Sequence, residues 1–240
     1  MRIYDSIRLP LPDSFNMYNL NKEETDMKKI LLASLLTSAS FYASADMLIG
    51  GDIEMNVWQQ DQTTTYGGTD HDGGSNTALT FEGSIEHFIP LIPNIKFAQS
   101  SVDGDHLKYT KRDFTLYYEI LDNDFVSVDA GLGVTDLSDG EVYAGSWKNF
   151  EGYVPQLYAA AELGIPGTPF FVFAKGNGIA YSDNHMLDFS VGAQYSIPLI
   201  AFDLEIQGGY RVQRFDLEDF DDANVDSQTD GIFLGANIDF

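Results

Sequence analysis

The sequence contains no cysteine. A disulfide framework, a thiolate-held zinc or iron–sulfur site and a cysteine nucleophile are therefore all excluded. Basic residues are scarce: 13 Lys and Arg stand against 37 Asp and Glu in 240 residues, a formal net charge of −24. A polyanion repels phosphate backbones, which excludes nucleic-acid binding through a basic patch. Beyond the first fifty residues no run of eighteen apolar residues occurs, so no helical membrane span is available. Nor does any stretch of a dozen residues there show the 3.6-residue period of an amphipathic helix. What is present is 44% hydrophobic content with 22 Gly, 13 Tyr and 17 Phe. That composition argues against disorder, and the length allows a single all-β domain.

The front of the chain reads as a targeting segment. From Met27 come Lys28 and Lys29, an apolar stretch from Ile30, and then Ala43-Ser44-Ala45. This is the pattern of a secretory signal peptide over 27–45, with cleavage expected between Ala45 and Asp46. Residues 1–26 place Asp5, Asp13, Glu23, Glu24 and Asp26 ahead of the basic region, where a signal peptide should begin. They are read as a mis-assigned leader, with translation starting at Met27. The expected mature domain is 46–240, with eight basic and 32 acidic residues.

Within that domain the apolar period is two, the period of strands. Ten strands are predicted, centred on 49–58, 79–86, 95–101, 113–120, 126–135, 156–163, 170–178, 187–195, 203–213 and 232–240. Eight strands result if the weak third and seventh segments are discounted. Short turns follow the even strands (90–94, 121–124, 164–169, 197–201). Longer polar segments follow the odd ones (61–75, 103–106, 136–152, 177–184, 215–230) and are expected to be loops. Short periplasmic turns on one rim and longer extracellular loops on the other point to a transmembrane antiparallel up-and-down β-barrel. A soluble sandwich shares the alternation. Apolar faces of about ten residues, the length a tilted strand needs to cross a bilayer, favour the barrel.

The ending Gly231-Ile232-Phe233-Leu234-Gly235-Ala236-Asn237-Ile238-Asp239-Phe240 resembles the C-terminal assembly signal of Gram-negative outer-membrane proteins. The resemblance implies recognition of this strand, through Phe240, by the barrel-assembly machinery. With the pair Gly50-Gly51 near the mature N-terminus, the chain also resembles a family of small outer-membrane barrels with no assigned reaction. That resemblance implies membership and a bacterial outer-membrane location, without an activity.

Strand parity assigns an inward set: Asp52, Glu54, Glu82, Glu86, Asp113, Glu119, Asp129, Glu162, Asp188, Asp203, Glu205 and Asp239, against Lys96, Lys111, Arg211 and Lys175. Arg211 shares its face with Glu205 and Asp203, so ion pairs across the lumen are expected. Gly131, Gly133, Gly192 and Gly209 fall on the same inward face. Phe88, Tyr118, Phe125, Phe170, Tyr195, Phe202 and Phe240 lie where a periplasmic aromatic girdle forms.

Acids exceed bases, and an acid-lined lumen selects cations if a path exists. A structural or surface-interaction role is expected first, a small cation-selective channel second and a hydrolase last. No catalytic, cofactor-binding or metal residues are assigned and no cofactor is expected beyond loosely bound calcium or magnesium. The oxygen-rich segments 215–226 and 70–76 are the candidates for such an ion. The histidines are His71, His87, His106 and His185, the last close to Ser182 and Asp183. Expected partners are outer-membrane lipids and lipopolysaccharide, and a monomer is expected.

Overall fold

The computed structural model describes residues 49–240, apart from Pro90, Asp124, Ser182 and Asp183. The leader, the signal peptide and its cleavage site lie outside the described residues. After a two-residue bridge, Ile49–Gly50, which pairs with His87 and Glu86, ten strands follow: β1 (Asp52–Tyr66), β2 (Thr69–His87), β3 (Asn94–Asp103), β4 (Leu107–Asn123), β5 (Val126–Tyr143), β6 (Trp147–Gly164), β7 (Phe170–Tyr181), β8 (Asn184–Pro198), β9 (Asp203–Phe220) and β10 (Ala223–Asp239). Each pairs antiparallel with the next, and β10 pairs with β1 along Asp52 to Thr64. The ring has no sheet edge running its whole length, as a barrel in hydrocarbon requires. A further backbone clamp, Gly51 N to Phe240 O at 2.8 Å and Phe240 N to Gly51 O at 3.1 Å, joins the two ends.

The weak third and seventh segments are both strands, so the count is ten. The principal difference from the sequence expectation concerns the long segments after the odd strands. They are present on the predicted rim, but they fold as continuations of the strands, closed by tight turns. β1 runs on to Tyr66 and turns through Gly67 and Gly68, whose φ values of 61° and 74° suit a two-residue hairpin turn. β9 runs on to Phe220 and returns through Asp221 and Asp222.

The reason lies in an exchange of polarity between the two faces. On β9 the outward residues are Leu204, Ile206, Tyr210 and Val212, then Arg214, Asp216 and Glu218. Its inward residues are Glu205, Gln207, Arg211 and Gln213, then Phe215 and Leu217. The alternation never stops; the two faces trade character between Gln213 and Arg214. β10 makes the same exchange in the opposite chain direction, with Val225 inside and Asp226 outside, then Asn237 inside and Ile238 outside. From Leu204 to Val212 is nine residues, the span a tilted strand needs to cross hydrocarbon.

Below the exchange the molecule is a membrane barrel, with apolar residues such as Leu79, Leu132, Leu157 and Leu234 facing out. Above it the strands form a water-exposed barrel with its own apolar core. Leu107, Leu137, Val142, Phe150, Phe215, Leu217 and Val225 are each at most 2% exposed. Burying side chains of this size contributes roughly 1.5–3 kcal/mol each, which orders segments that would otherwise be loops.

Candidate functional site: a layered lumen

Inward side chains divide the lumen into layers. At the termini end lies a cavity of 370 Å³, lined by Asp52, Glu86, Glu119, Asp129, Glu162, Glu205 and Asp239. These carboxylates make no ion pair among the described residues. Neutral donors hold several of them: Tyr117 donates to Glu86 at 2.6 Å, Gln194 to Glu162 at 2.8 Å, and Asn237 to both Asp52 and Glu205 at 2.8 and 3.0 Å.

The next layer is charge-balanced. Lys175 reaches Glu54 at 2.6 Å and Glu82 at 3.0 Å, while Lys96 reaches Glu82 at 3.0 Å and the Tyr158 hydroxyl at 2.9 Å. Beyond it a 50 Å³ void offers room for about three or four waters.

A second balanced layer follows. Asp188 receives Lys111 at 2.9 Å, Gln213 at 2.8 Å and two bonds from Arg211, whose guanidinium lies 4.9 Å from the centre of the Trp58 ring. Lys111 also bonds Asp113, which accepts from Thr135 at 2.6 Å. Two cations and two carboxylates therefore cancel in each layer, with further donors satisfying the oxygens, as buried charge requires. Above them the Tyr109 and Phe215 rings meet edge to face at 5.1 Å and lead into the apolar core.

The inward set read from strand parity is the set that lines this lumen, including all four bases. The ion pairs expected across the lumen are present, Lys175 to Glu54 among them. Arg211 engages Asp188 of β8, while Glu205 of its own strand is six residues away, a span of roughly 20 Å. Phe173 and Phe233 lie 6.3 Å apart over the bare backbones of Gly192 and Gly209. A Cβ on Gly192 would come within 2.7 Å of Phe173, and one on Gly209 within 2.9 Å of Phe233. Phe88, Tyr118, Phe125, Phe170 and Tyr195 are exposed on the outer wall near the termini rim, as a girdle requires.

Residues 215–226 fold as strand on either side of a tight turn, sending Phe215, Leu217, Ala223 and Val225 inward and the carboxylates outward. Residues 70–76 lie within β2. Among the described residues no three His, Asp or Glu side chains converge as metal ligands. Outside, above the bilayer, burial and then the facing Asp216 and Asp70 carboxylates raise the pKa of Asp226 above the ordinary aspartate value.

The histidines separate. His71 stacks on Tyr66 at 3.6 Å and lies 6.0 Å from His106, brought there from a different hairpin. Tyr143 and the half-exposed Trp147 complete this aromatic group at the extracellular tip. His87 lies near the opposite rim, where its Nδ1 accepts from the amide of Ile89. His185 pairs across β8–β9 with Asp216; Ser182 and Asp183 lie outside the described residues. The tip grouping was missed because nothing in one strand's pattern says which hairpin tips meet.

No protein-family model matches the sequence, and no curated protein is similar to it. Solved structures are similar at low identity. Neisserial surface protein A is 10% identical, over 79% of this chain and 97% of that one, with a TM-score of 0.32. The translocator domain of the autotransporter NalP from Neisseria meningitidis is 12% identical over 91% and 98%, with a TM-score of 0.38. The outer membrane protease OmpT from Escherichia coli is 11% identical over 80% and 97%, with a TM-score of 0.37.

Similarity at this level decides nothing about activity. Closure and the outward apolar belt carry the assignment. The chain is an integral β-barrel of the bacterial outer membrane.

Proposed function

We propose that this barrel is a non-conducting one with a structural or surface-interaction role, its working part being the rigid extension outside the bilayer. The observation that supports this reading is the filling of the lumen. Trp58, Lys111, Gln213 and Phe215 are each 0–2% exposed and stand between the carboxylate-lined cavity and the outer surface. The extension presents the Tyr66, His71, His106, Tyr143 and Trp147 group at its tip, a surface suited to a partner outside the cell.

A small cation-selective channel is the second reading, and the unpaired carboxylates of the cavity favour it. Planar-bilayer recording separates the two. The purified protein is expected to give no conductance steps, whereas the Trp58→Ala/Phe215→Ala double variant opens measurable ones. Steady cation-selective steps from the unaltered protein would overturn the proposal.

A further inference from the structure

Eight basic residues fall within 46–240, and their placement is uneven. Lys96, Lys111, Lys175 and Arg211 are consumed inside the lumen. Lys108, Arg112, Lys148 and Arg214 lie on the extracellular side of the apolar belt, and none lies on the outer wall at the termini rim. Of these four, Lys108 pairs with Asp103 at 2.9 Å and Arg112 with Asp136 at 3.2 Å. Lys148 is held on the Asp222 carbonyl at 2.8 Å. Arg214 hydrogen-bonds only the neutral Gln228 and lies within electrostatic reach of Asp226, without an ion pair at hydrogen-bond distance among the described residues.

Arg214 borders an open groove of 800 Å³ on the lipid-facing wall. The groove has a floor of small residues, Ala159, Ala161, Ala174, Gly176, Gly178 and Ala180, where the neighbouring wall carries Leu and Phe. Leu157 bounds it on one side, Leu187 and Phe189 on the other. β6 and β7 are paired only up to Leu157 and Gly178, so their ladder stops at the groove's extracellular end. An apolar trough, with a guanidinium that hydrogen-bonds no carboxylate among the described residues two residues above the last belt residue of β9, complements one chemistry: an acyl chain carrying a phosphate at its head.

We propose that this groove is a specific site for lipopolysaccharide, with one acyl chain of its lipid A lying over the alanine and glycine floor and a phosphate on Arg214. A guanidinium suits that anion because it offers paired donors to phosphate oxygens. The small floor lets a chain lie close to the backbone, where leucines would hold it away.

The test uses the purified full barrel in nanodiscs of phosphatidylcholine containing diphosphoryl lipid A, read by native mass spectrometry. One retained lipid A per barrel is expected. Retention should fall at least fivefold for Arg214→Gln and for the groove-filling Ala161→Leu/Ala174→Leu pair. Both replacements leave the wall apolar or uncharged, and an unchanged heat-induced unfolding transition would show that each variant is folded. Retention should persist in Lys148→Gln. Equal retention in all variants would overturn the proposal. So would equal retention of phosphatidylglycerol in place of lipid A, or a mass of two chains joined through the groove. Binding is measured in a closed disc without any conductance readout, so its failure is distinct from failure of the non-conducting reading.

Discussion

Arg211 and Asp188 meet across the β8–β9 pair in a two-pronged contact, Nε to Oδ1 at 2.8 Å and Nη2 to Oδ2 at 2.7 Å. The guanidinium is capped by the Trp58 ring, and Lys111 and Gln213 reach the same carboxylate. One aspartate thus holds together the layer below the apolar core. Asp188→Ala leaves two buried cations with a single carboxylate, Asp113, between them. Breaking a buried pair in this way costs about 3–5 kcal/mol. A urea titration of the refolded barrel should show that loss, while Asp203→Asn at the rim should leave the midpoint nearly unchanged.

The depth of the belt can be measured by placing a charge on it. Leu234 is 65% exposed on the outer wall, midway along the apolar stretch of β10. Leu234→Arg is expected to cost roughly 2–4 kcal/mol when folding is measured in lipid vesicles. Glu218→Arg, on the outer face of β9 above the exchange, should cost almost nothing. Equal effects at the two positions would place the bilayer elsewhere.

The β9–β10 turn uses two left-handed aspartates, Asp221 and Asp222, with φ of 50° and 62°. The Asp221 carboxylate accepts the Glu151 amide at 3.1 Å, whereas Lys148 bonds only the backbone carbonyl of Asp222. The Asp222 side chain is therefore replaceable. Asp222→Gly should stabilise the hairpin by about 0.5–1 kcal/mol by removing the left-handed penalty, read as slower proteolysis at the tip. Asp221→Gly should lose that gain, because it also removes a contact to β6.

Asp226 gives a pH signature. Its proton is held more tightly in the folded protein than in the unfolded chain, because of burial first and then Asp216 and Asp70. The folded state is therefore favoured at pH below the ordinary aspartate value, about 3.9. That advantage is lost as pH rises through the higher folded value. Asp226→Asn should raise the thermal midpoint at pH 7 and leave it unchanged at pH 3.

Much of this architecture is legible in the residue order, and the part that is not has a definite cause. Parity identifies the lumen carboxylates and Lys96, Lys111 and Arg211, because a lipid-facing wall forces every second residue to be apolar; the seventh segment, apolar on both faces, leaves Lys175 without a clear phase. It does not reveal the upper barrel. Phe215-Asp216-Leu217-Glu218 and Ala223-Asn224-Val225-Asp226 alternate cleanly, but their polarity is opposite in phase to that of the strands they extend. Taken with the membrane-facing phase, they look like acidic loops. The Gly67-Gly68 pair is the available clue that a tight hairpin closes there. Which tips meet, and that Arg211 faces Asp188, depends on register around the ring, which no single strand carries.

The exchange of faces along β9 is open to one direct measurement. The chain has no cysteine, so single cysteines carry a spin label without background. Labels placed one at a time from Leu204 to Glu218 are scanned in lipid for contact with oxygen and with a water-soluble nickel chelate. Outward positions are expected to report lipid up to Val212 and water from Arg214 onward. Phe215 and Leu217 should be immobile and inaccessible to both reagents. Mobile, water-accessible labels at Phe215 and Leu217 would contradict the filled upper barrel.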